Sequence, residues 1–529
     1  MKLTQIAPII LPIGLLFNAC ATTPKADSEG KDKEKKEHVL QGQPQPDVWF
    51  QGRPEQAFAQ AKADNKLLFV YWGAAWCPPC NELKSEVFSK PRFAELMKNF
   101  IPVYLDGDTD QAQVWGERLS ASGYPTVLVL TPDGRELYRL STSLNEDEFH
   151  AAVQPVLKNN QNFAEAFSRL ENRDAKDDDW KVLAYTSWDQ LPEGRYTVDR
   201  LVNAAKRAAD KCPATMPKEK AIFAANLLNL AALNKDNKES ANSLADIKME
   251  AKRYLDAIFA SKESVQGARG FINYNAKQTA VFLYGKPAGK GYEDLKKRWL
   301  KAAGDIAANP ANSVDTRLAA WNPAIEFHKL EAPNGPVPAK LKADVQAAAT
   351  QADKNAGTAF ERHAVISSAA YMLRQVGDFS GARQLLETEA AKTDTPWYYY
   401  SSLASLEQEL KNEKAAQTWA AKARESVVGR ASKIQWITSD IVLNAKIKNA
   451  DQKAYMLNLT REYYDVATSL NDGFSGRNWA RAKKVSESLK DWQKDPAFTA
   501  LFSSYEAKCS GLEKESQKNC QQHFAGLKN

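Results

Sequence analysis

The sequence predicts an α/β domain near the N-terminus followed by a large all-α region. Short apolar runs at 67–72, 101–105 and 127–130 alternate with helix-like segments, which is the pattern of strands in a buried sheet. From 162 to 529 no such runs persist, and Ala-, Leu-, Lys- and Glu-rich stretches are separated by short Gly, Pro or Asn breaks. At 529 residues the chain is long enough for two or more hydrophobic cores.

The composition narrows the classes of function. The chain is 43% hydrophobic and 26% charged, which is typical of a globular protein. Its net charge is only +6, and no Lys/Arg stripe occurs, so we predict no nucleic-acid partner. The five histidines lie far apart, without the spacing of zinc ligands, and we predict neither a metal nor a cofactor.

The first twenty residues carry the features of an export signal. The apolar run Ile6–Phe17 is too short to span a bilayer but suits the core of a signal peptide. The segment Leu15–Cys20 resembles a bacterial lipoprotein signal, in which Cys20 is lipidated and begins the mature chain. The resemblance implies a periplasm-facing lipoprotein of the bacterial cell envelope, anchored by its lipid in the outer membrane. A plain secretory signal cut near Ala19 or Ala21 is the alternative.

Residues 21–47 are predicted to form a disordered tether. They include a run of alternating Lys, Asp and Glu at 31–37 and almost no apolar side chain to bury. A leash between a lipid and a folded domain requires this composition, although an ordinary disordered N-terminus has it too.

The α/β domain is predicted to span 48–158. The Thr131–Gly134 segment has the residues of a tight turn, and Asn145 is a good N-cap for the last helix. The predicted elements, in order, are a helix over 54–65, a strand over 67–72, a helix over 81–98, a strand over 101–105, a helix over 111–120, strands over 127–130 and 136–140, and a helix after residue 145.

A Cys-x-x-Cys motif, Trp76-Cys77-Pro78-Pro79-Cys80, separates the first strand from the next helix. This position places the first thiol near unpaired backbone N–H groups, which favour the thiolate that attacks disulfides. We therefore predict that Cys77 is the nucleophile and that Cys80 resolves the mixed disulfide. A static disulfide and half of a zinc site are the alternatives. A disulfide across so short a loop would remove little conformational entropy from the unfolded chain, so it would stabilise the fold only weakly. A zinc site would need a second cysteine pair, which the sequence does not provide.

The order of these elements, with Trp-Cys-x-x-Cys after the first strand and Gly-x-Pro-Thr before a buried one, resembles the thioredoxin fold. The run 80–91 more closely resembles the C-terminal, thioredoxin-like domain of periplasmic disulfide-interchange reductases. The resemblance implies that Trp76 belongs to the site and that Pro125 is a cis proline facing Cys77. It also implies that the backbone around Tyr124 receives an extended substrate chain.

Two positions depart from the resembled families. Many thioredoxins bury a carboxylate six residues before the first cysteine, where this chain has Tyr71. The interchange domains carry a Glu shortly after the second cysteine, where this chain has Lys84. Neither general base carries over, and Glu82 or a water is a possible replacement. A cation at Lys84 favours the thiolate form of the dithiol.

The helical region over 162–529 is predicted to be a degenerate, solenoid-like array. The segment Gly377–Ala382 recurs loosely as Lys411–Ala416, thirty-four residues later. Thirty-four residues is the tetratricopeptide period, so this part of the chain resembles a tetratricopeptide array. The resemblance implies a concave surface for a protein partner, and a helical spacer is the alternative. The turn-like segment at 448–451 is out of phase with this repeat.

Other residues of the helical region carry narrower predictions. Cys509 and Cys520 are spaced to bridge neighbouring helices, and we predict a structural disulfide between them if the chain is exported. Cys212 is predicted to be a buried thiol. The cluster Trp397–Tyr400 begins a helix, so at least half of its rings are expected in the core and the others are available for binding.

Together these features predict an exported, lipid-anchored thiol:disulfide oxidoreductase, with reduction as the favoured direction. Its predicted substrates are disulfide-containing envelope proteins, and a membrane electron donor recycles the dithiol. The alternative is a non-catalytic binding or assembly lipoprotein that uses both regions as docking modules.

Overall fold

The computed structural model describes residues 43–192, 194–237, 241–447 and 452–528. The predicted signal peptide, the predicted lipidation site Cys20, the predicted tether up to residue 42 and the segment 448–451 lie outside these ranges. Among the described residues, no helix has both the length and the apolar character that crossing a membrane requires.

The N-terminal part folds as an α/β domain with its elements in the predicted order. The elements are α1 (Pro54–Asp64), β1 (Leu67–Gly73), α2 (Pro78–Leu83), α3 (Pro91–Met97), β2 (Phe100–Asp106), α4 (Asp110–Arg118), β3 (Thr126–Leu130), β4 (Glu136–Leu140) and α5 (Glu146–Asn159). Asn145 caps α5 by accepting a hydrogen bond from the Glu148 backbone N–H.

The four strands form one mixed sheet in the order β2-β1-β3-β4. β1 is parallel to β2 and antiparallel to β3, and β3 is antiparallel to β4. Gly73 at the end of β1 pairs with Asp106 at the end of β2, while Trp72 pairs with Thr126 at the start of β3. The chain after β1, the chain after β2 and the chain before β3 therefore meet at one edge of the sheet.

The helix predicted over 81–98 is wrong in one respect, because the structure divides it. α2 begins at Pro78 and is followed by a π-helical turn, Lys84–Phe88, before α3 begins at Pro91. Lys90 is extended, with φ −83° and ψ 143°. A proline disfavours the helical conformation in the residue before it and lacks an N–H to continue the hydrogen-bond ladder, so Pro91 starts a new helix.

The all-α region is confirmed as largely helical and follows the sheet domain directly. Its helices are α6 (Phe163–Glu171), α7 (Asp177–Ala184), α8 (Val198–Lys211), α9 (Pro217–Leu233), α10 (Ala241–Ile258), α11 (Lys262–Gly267), α12 (Arg269–Tyr274), α13 (Ala276–Tyr284), α14 (Lys290–Ala308), α15 (Val314–Ala319), α16 (Asn322–Glu331), α17 (Ala339–Asn355), α18 (Ala359–Gln375), α19 (Phe379–Ala390), α20 (Trp397–Glu409), α21 (Glu413–Ser426), α22 (Arg430–Asn444), α23 (Gln452–Ala467), α24 (Gly476–Ser488), α25 (Pro496–Glu506) and α26 (Lys514–Lys528).

The segments that carry the 34-residue period form two successive helical hairpins, α18–α19 and α20–α21. Each hairpin turns through a residue in the left-handed region, Gly377 with φ 74° and Lys411 with φ 61°. Helix–turn–helix units with equivalent turns at this period are consistent with tetratricopeptide-like packing. A partner-binding surface on them stays a prediction.

The α/β domain and the helical region share a hydrophobic core. One buried cluster runs from β1 and the residues around the dithiol into the helical region, where it includes Trp397 and Trp436. A second cluster is built by one face of α22 together with α23–α26. The last five helices therefore have a core of their own, and only a few of their side chains reach the sheet domain.

Candidate redox-active site

The two cysteines lie where the chain leaves the sheet and starts a helix. Cys77 is the N-cap of α2, and its Sγ accepts a hydrogen bond from the Cys80 backbone N–H at 3.3 Å. Cys77 and Cys80 are joined as a disulfide. In the reduced protein the same N–H would stabilise a thiolate on Cys77, because hydrogen bonds to the charged form lower a thiol's pKa.

Pro125 lies at the same edge of the sheet, directly before β3, and the Tyr124–Pro125 peptide bond is cis. The Tyr124 hydroxyl donates a hydrogen bond to the Gly107 carbonyl at 2.9 Å. Gln190, from the segment between α7 and α8, donates from Nε2 to the Pro125 carbonyl at 3.2 Å. The Pro125 carbonyl belongs to the segment that is predicted to receive a substrate. It therefore already accepts a hydrogen bond from another part of the same chain.

Trp76 is held between the two regions of the protein. Its indole N–H donates to Asp108 Oδ1 at 2.9 Å. Its ring stacks on Tyr398 of α20 with centroids 6.0 Å apart and meets the edge of Trp436 of α22 at 5.7 Å. Trp76, the residue before Cys77, is thus enclosed by side chains that come from far along the chain.

The dithiol is buried. Cys77 is 3% exposed, Cys80 0% and Trp76 6%. A cysteine that attacks a protein disulfide must reach a sulfur on another molecule. In this conformation the helical region covers the cysteines, so the arrangement is a closed one.

Tyr71, which replaces the carboxylate of many thioredoxins, cannot act as a base near neutral pH. It is fully buried, stacks on its cross-strand partner Tyr104 at 5.3 Å, and has no hydrogen-bond partner for its hydroxyl among the described residues. Burial raises the pKa of Tyr71 far above its usual range. The hydroxyl therefore keeps its proton.

A buried charge cluster lies beside the dithiol. Lys84 follows Cys80 by one helical turn, and its side chain is inaccessible to solvent. Burial lowers the pKa of Lys84 to about 8, while the nearby carboxylates of Asp106 and Asp108 oppose that shift. Burial, followed by repulsion from Asp108, raises the pKa of Asp106 to about 7. An ammonium and a carboxyl group thus titrate near neutrality at this edge of the sheet.

Comparison with known proteins identifies the domain that carries this site. Residues 49–132 match the profile of a thioredoxin-like family. This domain is thioredoxin-like. A search of the curated proteins found no match to the chain. The protein therefore combines a thioredoxin-like domain, whose closely spaced cysteine pair is consistent with a thiol oxidoreductase-like module, with a largely helical region.

Sequence reasoning missed the residues of the helical region that enclose the site. Tyr398 lies in the aromatic cluster that was considered for binding, and Trp397 and Tyr399 of that cluster are buried in the core. Tyr398 instead faces Trp76 of the thioredoxin-like domain. Trp436 carries no comparable local pattern, because its role follows only from the packing of α22 against this domain.

Glu82, considered as a replacement base, is engaged at a different contact. Its carboxylate accepts hydrogen bonds from the Ser313 hydroxyl at 2.9 Å and the Thr316 hydroxyl at 3.4 Å, at the start of α15. Asp315 lies in the same turn and has a buried Oδ1 atom without a partner among the described residues. Burial and the charge of Glu82 raise the pKa of Asp315 to about 7.

We expect Asp315→Asn to stabilise the protein at pH 8 and to have little effect near pH 4. The folded-state pKa of Asp315 exceeds its unfolded value, so the native state binds more protons between about pH 4 and 7, and stability falls as pH rises through that window. The amide removes the charge and keeps the shape. We expect a gain of about 1–3 kcal/mol at pH 8 from urea unfolding.

The exposed Asp394 provides the matched control, since Asp394→Asn also removes one carboxylate. It should change the unfolding midpoint equally little at both pH values. An Asp315→Asn protein whose stability tracks the parent chain across this range would show that Asp315 is ionised at no cost in the native state.

The remaining cysteines lie away from the dithiol. Cys509, in the short 3₁₀ segment that follows α25, forms a disulfide with Cys520 of α26. Cys212, at the end of α8, is a buried free thiol, and burial raises its pKa to about 12. Within the described part of the chain, no group of three or more His, Cys, Asp or Glu side chains is placed to hold a metal ion.

Proposed function

We propose that this protein is an exported, lipid-anchored thiol:disulfide oxidoreductase that reduces disulfides of cell-envelope proteins. The observation that carries the proposal is the Cys77–Cys80 pair at the start of α2 in a thioredoxin-like domain. The N-terminal sequence through Cys20 supports export and lipidation. A membrane electron donor of the dithiol class would return the cysteines to the reduced state.

The reaction conserves atoms and electrons in two exchanges. The Cys77 thiolate attacks one sulfur of the substrate disulfide, a bond forms between them, and the other substrate sulfur leaves as a thiolate that takes a proton. The Cys80 thiolate then attacks Cys77 Sγ, and the second substrate sulfur leaves and is protonated. The substrate gains two electrons and two protons, and the protein retains the Cys77–Cys80 disulfide.

The second exchange requires Cys80 to lose its proton. Asp106 lies at the same sheet edge as the dithiol and titrates near neutrality, with Lys84 one turn beyond Cys80. We assign these two residues to proton transfer in place of the carboxylate that Tyr71 replaces. Their pKa values allow both protonation states at neutral pH, which acid–base catalysis requires.

Trapping the intermediate tests this function. In Cys80→Ala the first exchange proceeds but the second cannot, so mixed disulfides with envelope proteins should accumulate on Cys77. They are detected as reductant-sensitive adducts and mapped by mass spectrometry. The Cys77→Ala/Cys80→Ala chain is the control and should carry none. Absence of adducts on Cys80→Ala, or their persistence in the control, would contradict the proposal.

A second candidate function is a non-catalytic binding or assembly lipoprotein. The burial of the dithiol beneath the helical region favours it, since a docking module needs no accessible thiol. In that case Cys77→Ala/Cys80→Ala would keep full function in cells, whereas disruption of the hairpins over 370–420 would abolish it.

A further inference from the structure

The dithiol is covered partly by a helical unit with a core of its own. We call this unit, α22–α26, the C-terminal lid. On α22 one face, with Ile434, Ile437 and Ile441, packs into the lid core. Ser432 and Trp436, four residues apart and so on a shared face, turn instead toward the redox site.

The lid holds the thioredoxin-like domain mainly through polar groups. The Ser432 hydroxyl donates to Asp108 Oδ1, the same oxygen that accepts from Trp76. The Arg430 guanidinium forms an ion pair with Asp110 in which both side chains are about half exposed. The backbone is also close here, since a Cβ on Gly429, which has φ 97°, would lie 2.5 Å from the Asp108 carbonyl oxygen.

A second lid helix reaches the other side of the site. Arg477 of α24 donates to Gln113 Oε1 and, at 3.3 Å, to the hydroxyl of Tyr124, the residue before the cis proline. Its guanidinium also lies over the Trp72 ring, 4.5 Å from the centroid. The lid therefore contacts both segments that flank the dithiol, the one ending in Trp76 and the one beginning at Tyr124.

The polar contacts between the lid and the thioredoxin-like domain can break and re-form without unfolding either part. The half-exposed Arg430–Asp110 ion pair adds little net stability, and polar interfaces between domains allow relative motion; the Ser432 hydrogen bond to Asp108 is the buried contact that must break. The indole N–H of Trp436 is buried without a hydrogen-bond partner among the described residues, so the closed state leaves a donor unsatisfied that water would satisfy on opening. By contrast, α18 packs directly against α2, the helix that begins at the dithiol.

We propose that the C-terminal lid is an autoinhibitory cover, and that Cys77 exchanges with a protein disulfide only after the lid contacts at Asp108, Asp110 and Tyr124 separate. This inference rests on the proposed function, since it concerns when the same dithiol reacts. It assigns the helical region a role in controlling access to the thiol, in addition to any role in recruiting a partner.

Thiol labelling of the full-length, reduced chain tests the proposal. The latch variant Arg430→Gln/Ser432→Ala/Arg477→Gln removes two cations and one hydroxyl at the lid contacts. The control Ser439→Ala/Lys453→Gln/Arg461→Gln removes the same groups from the outer surface of the lid, where they bond within the lid. A maleimide pulse followed by peptide mass spectrometry gives separate rates for Cys77 and for Cys212, whose burial in the helical core makes it a reporter of general unfolding.

We expect the latch variant to label Cys77 about tenfold faster or more than the control, with the Cys212 rate unchanged. Rates are taken from about pH 6 to 9, because a changed thiolate pKa shifts the profile along the pH axis whereas opening raises its plateau. Equal Cys77 rates in the two variants would overturn the proposal, as would a parallel rise at Cys212. So would an unaltered chain that labels Cys77 as fast as a free thiol.

The outcome is separable from that of the trapping experiment. Faster Cys77 labelling together with no adducts on Cys80→Ala would mean that the lid covers a cysteine pair that does not exchange with protein disulfides. Adducts together with equal labelling rates would mean that the oxidoreductase is active and the lid does not control it.

Discussion

Replacing Cys77 by serine is expected to abolish disulfide reduction by the full-length chain. The serine hydroxyl is not ionised at neutral pH and does not displace sulfur, so the first exchange loses its nucleophile. We expect the rate to fall by about three orders of magnitude or more, as when other enzymes lose their nucleophile. The measurement is the reduction of a disulfide-containing test protein with dithiothreitol as electron source, corrected for the direct reaction.

Cys212→Ser is the matched control for that loss. Cys212 is buried, and its pKa of about 12 keeps the thiol protonated, so its replacement should leave the rate within about twofold of the parent. A Cys77→Ser protein that retains activity would place the chemistry elsewhere. A Cys212→Ser protein that loses activity while remaining folded would make Cys212 part of the redox path.

Trp49→Ala should give the largest loss of stability in the thioredoxin-like domain. Trp49 is 1% exposed, and its ring centroid lies within 6.3 Å of five other aromatic rings. Truncating a fully buried aromatic side chain costs about 3–5 kcal/mol, because apolar contacts are lost and the cavity fills only in part. Hydrogen exchange of the β1 and β3 amides measures this cost within the domain.

Trp49→Phe separates the ring from the indole N–H. The Trp49 N–H is buried without a partner among the described residues, so phenylalanine removes an unsatisfied donor while keeping an aromatic ring in the cluster. Its cost should be well below that of alanine. Unchanged protection of β1 and β3 in Trp49→Ala would show that this cluster does not limit the opening of the domain.

The two candidate functions differ in whether the buried dithiol must become exposed. A buried dithiol is inert toward a large substrate until it is exposed, and a docking module would remain buried throughout. The labelling rates of Cys77 and the trapping of adducts therefore separate a regulated enzyme from a static module. Substitutions at Ser432 and Arg477 test whether the site opens, without altering either cysteine.

The parts of the fold that sequence reasoning predicted correctly depend on local patterns. The strands β1 and β3 contain the continuous apolar runs 67–72 and 127–130, and a short apolar run between turn residues is a direct signal of a buried strand. The cysteine pair is likewise a contiguous motif, and its place at the start of α2 follows from Pro78 in the first turn. The break at Lys84–Phe88 was missed, although Pro91 was the local signal for it.

The residues that complete the site were not predictable in the same way. Asp106 ends an ordinary strand and Asp108 follows two residues later, and burial in the folded protein raises the pKa of both carboxyl groups. Ser432 is separated from Asp108 by 324 residues. No local pattern in a single sequence encodes a pairing at that distance.

The sequence by itself therefore determined the chemistry that this protein carries, which is a Cys77–Cys80 dithiol on a strand-to-helix turn of a thioredoxin-like domain, without the usual buried carboxylate at Tyr71. Only the tertiary structure decided whether that dithiol is accessible. Strand, helix and motif depend on neighbouring residues, whereas burial depends on which distant helix packs over them. Here Trp436 and Tyr398 close over Trp76, so the fold of the helical region sets the accessibility of the thiols.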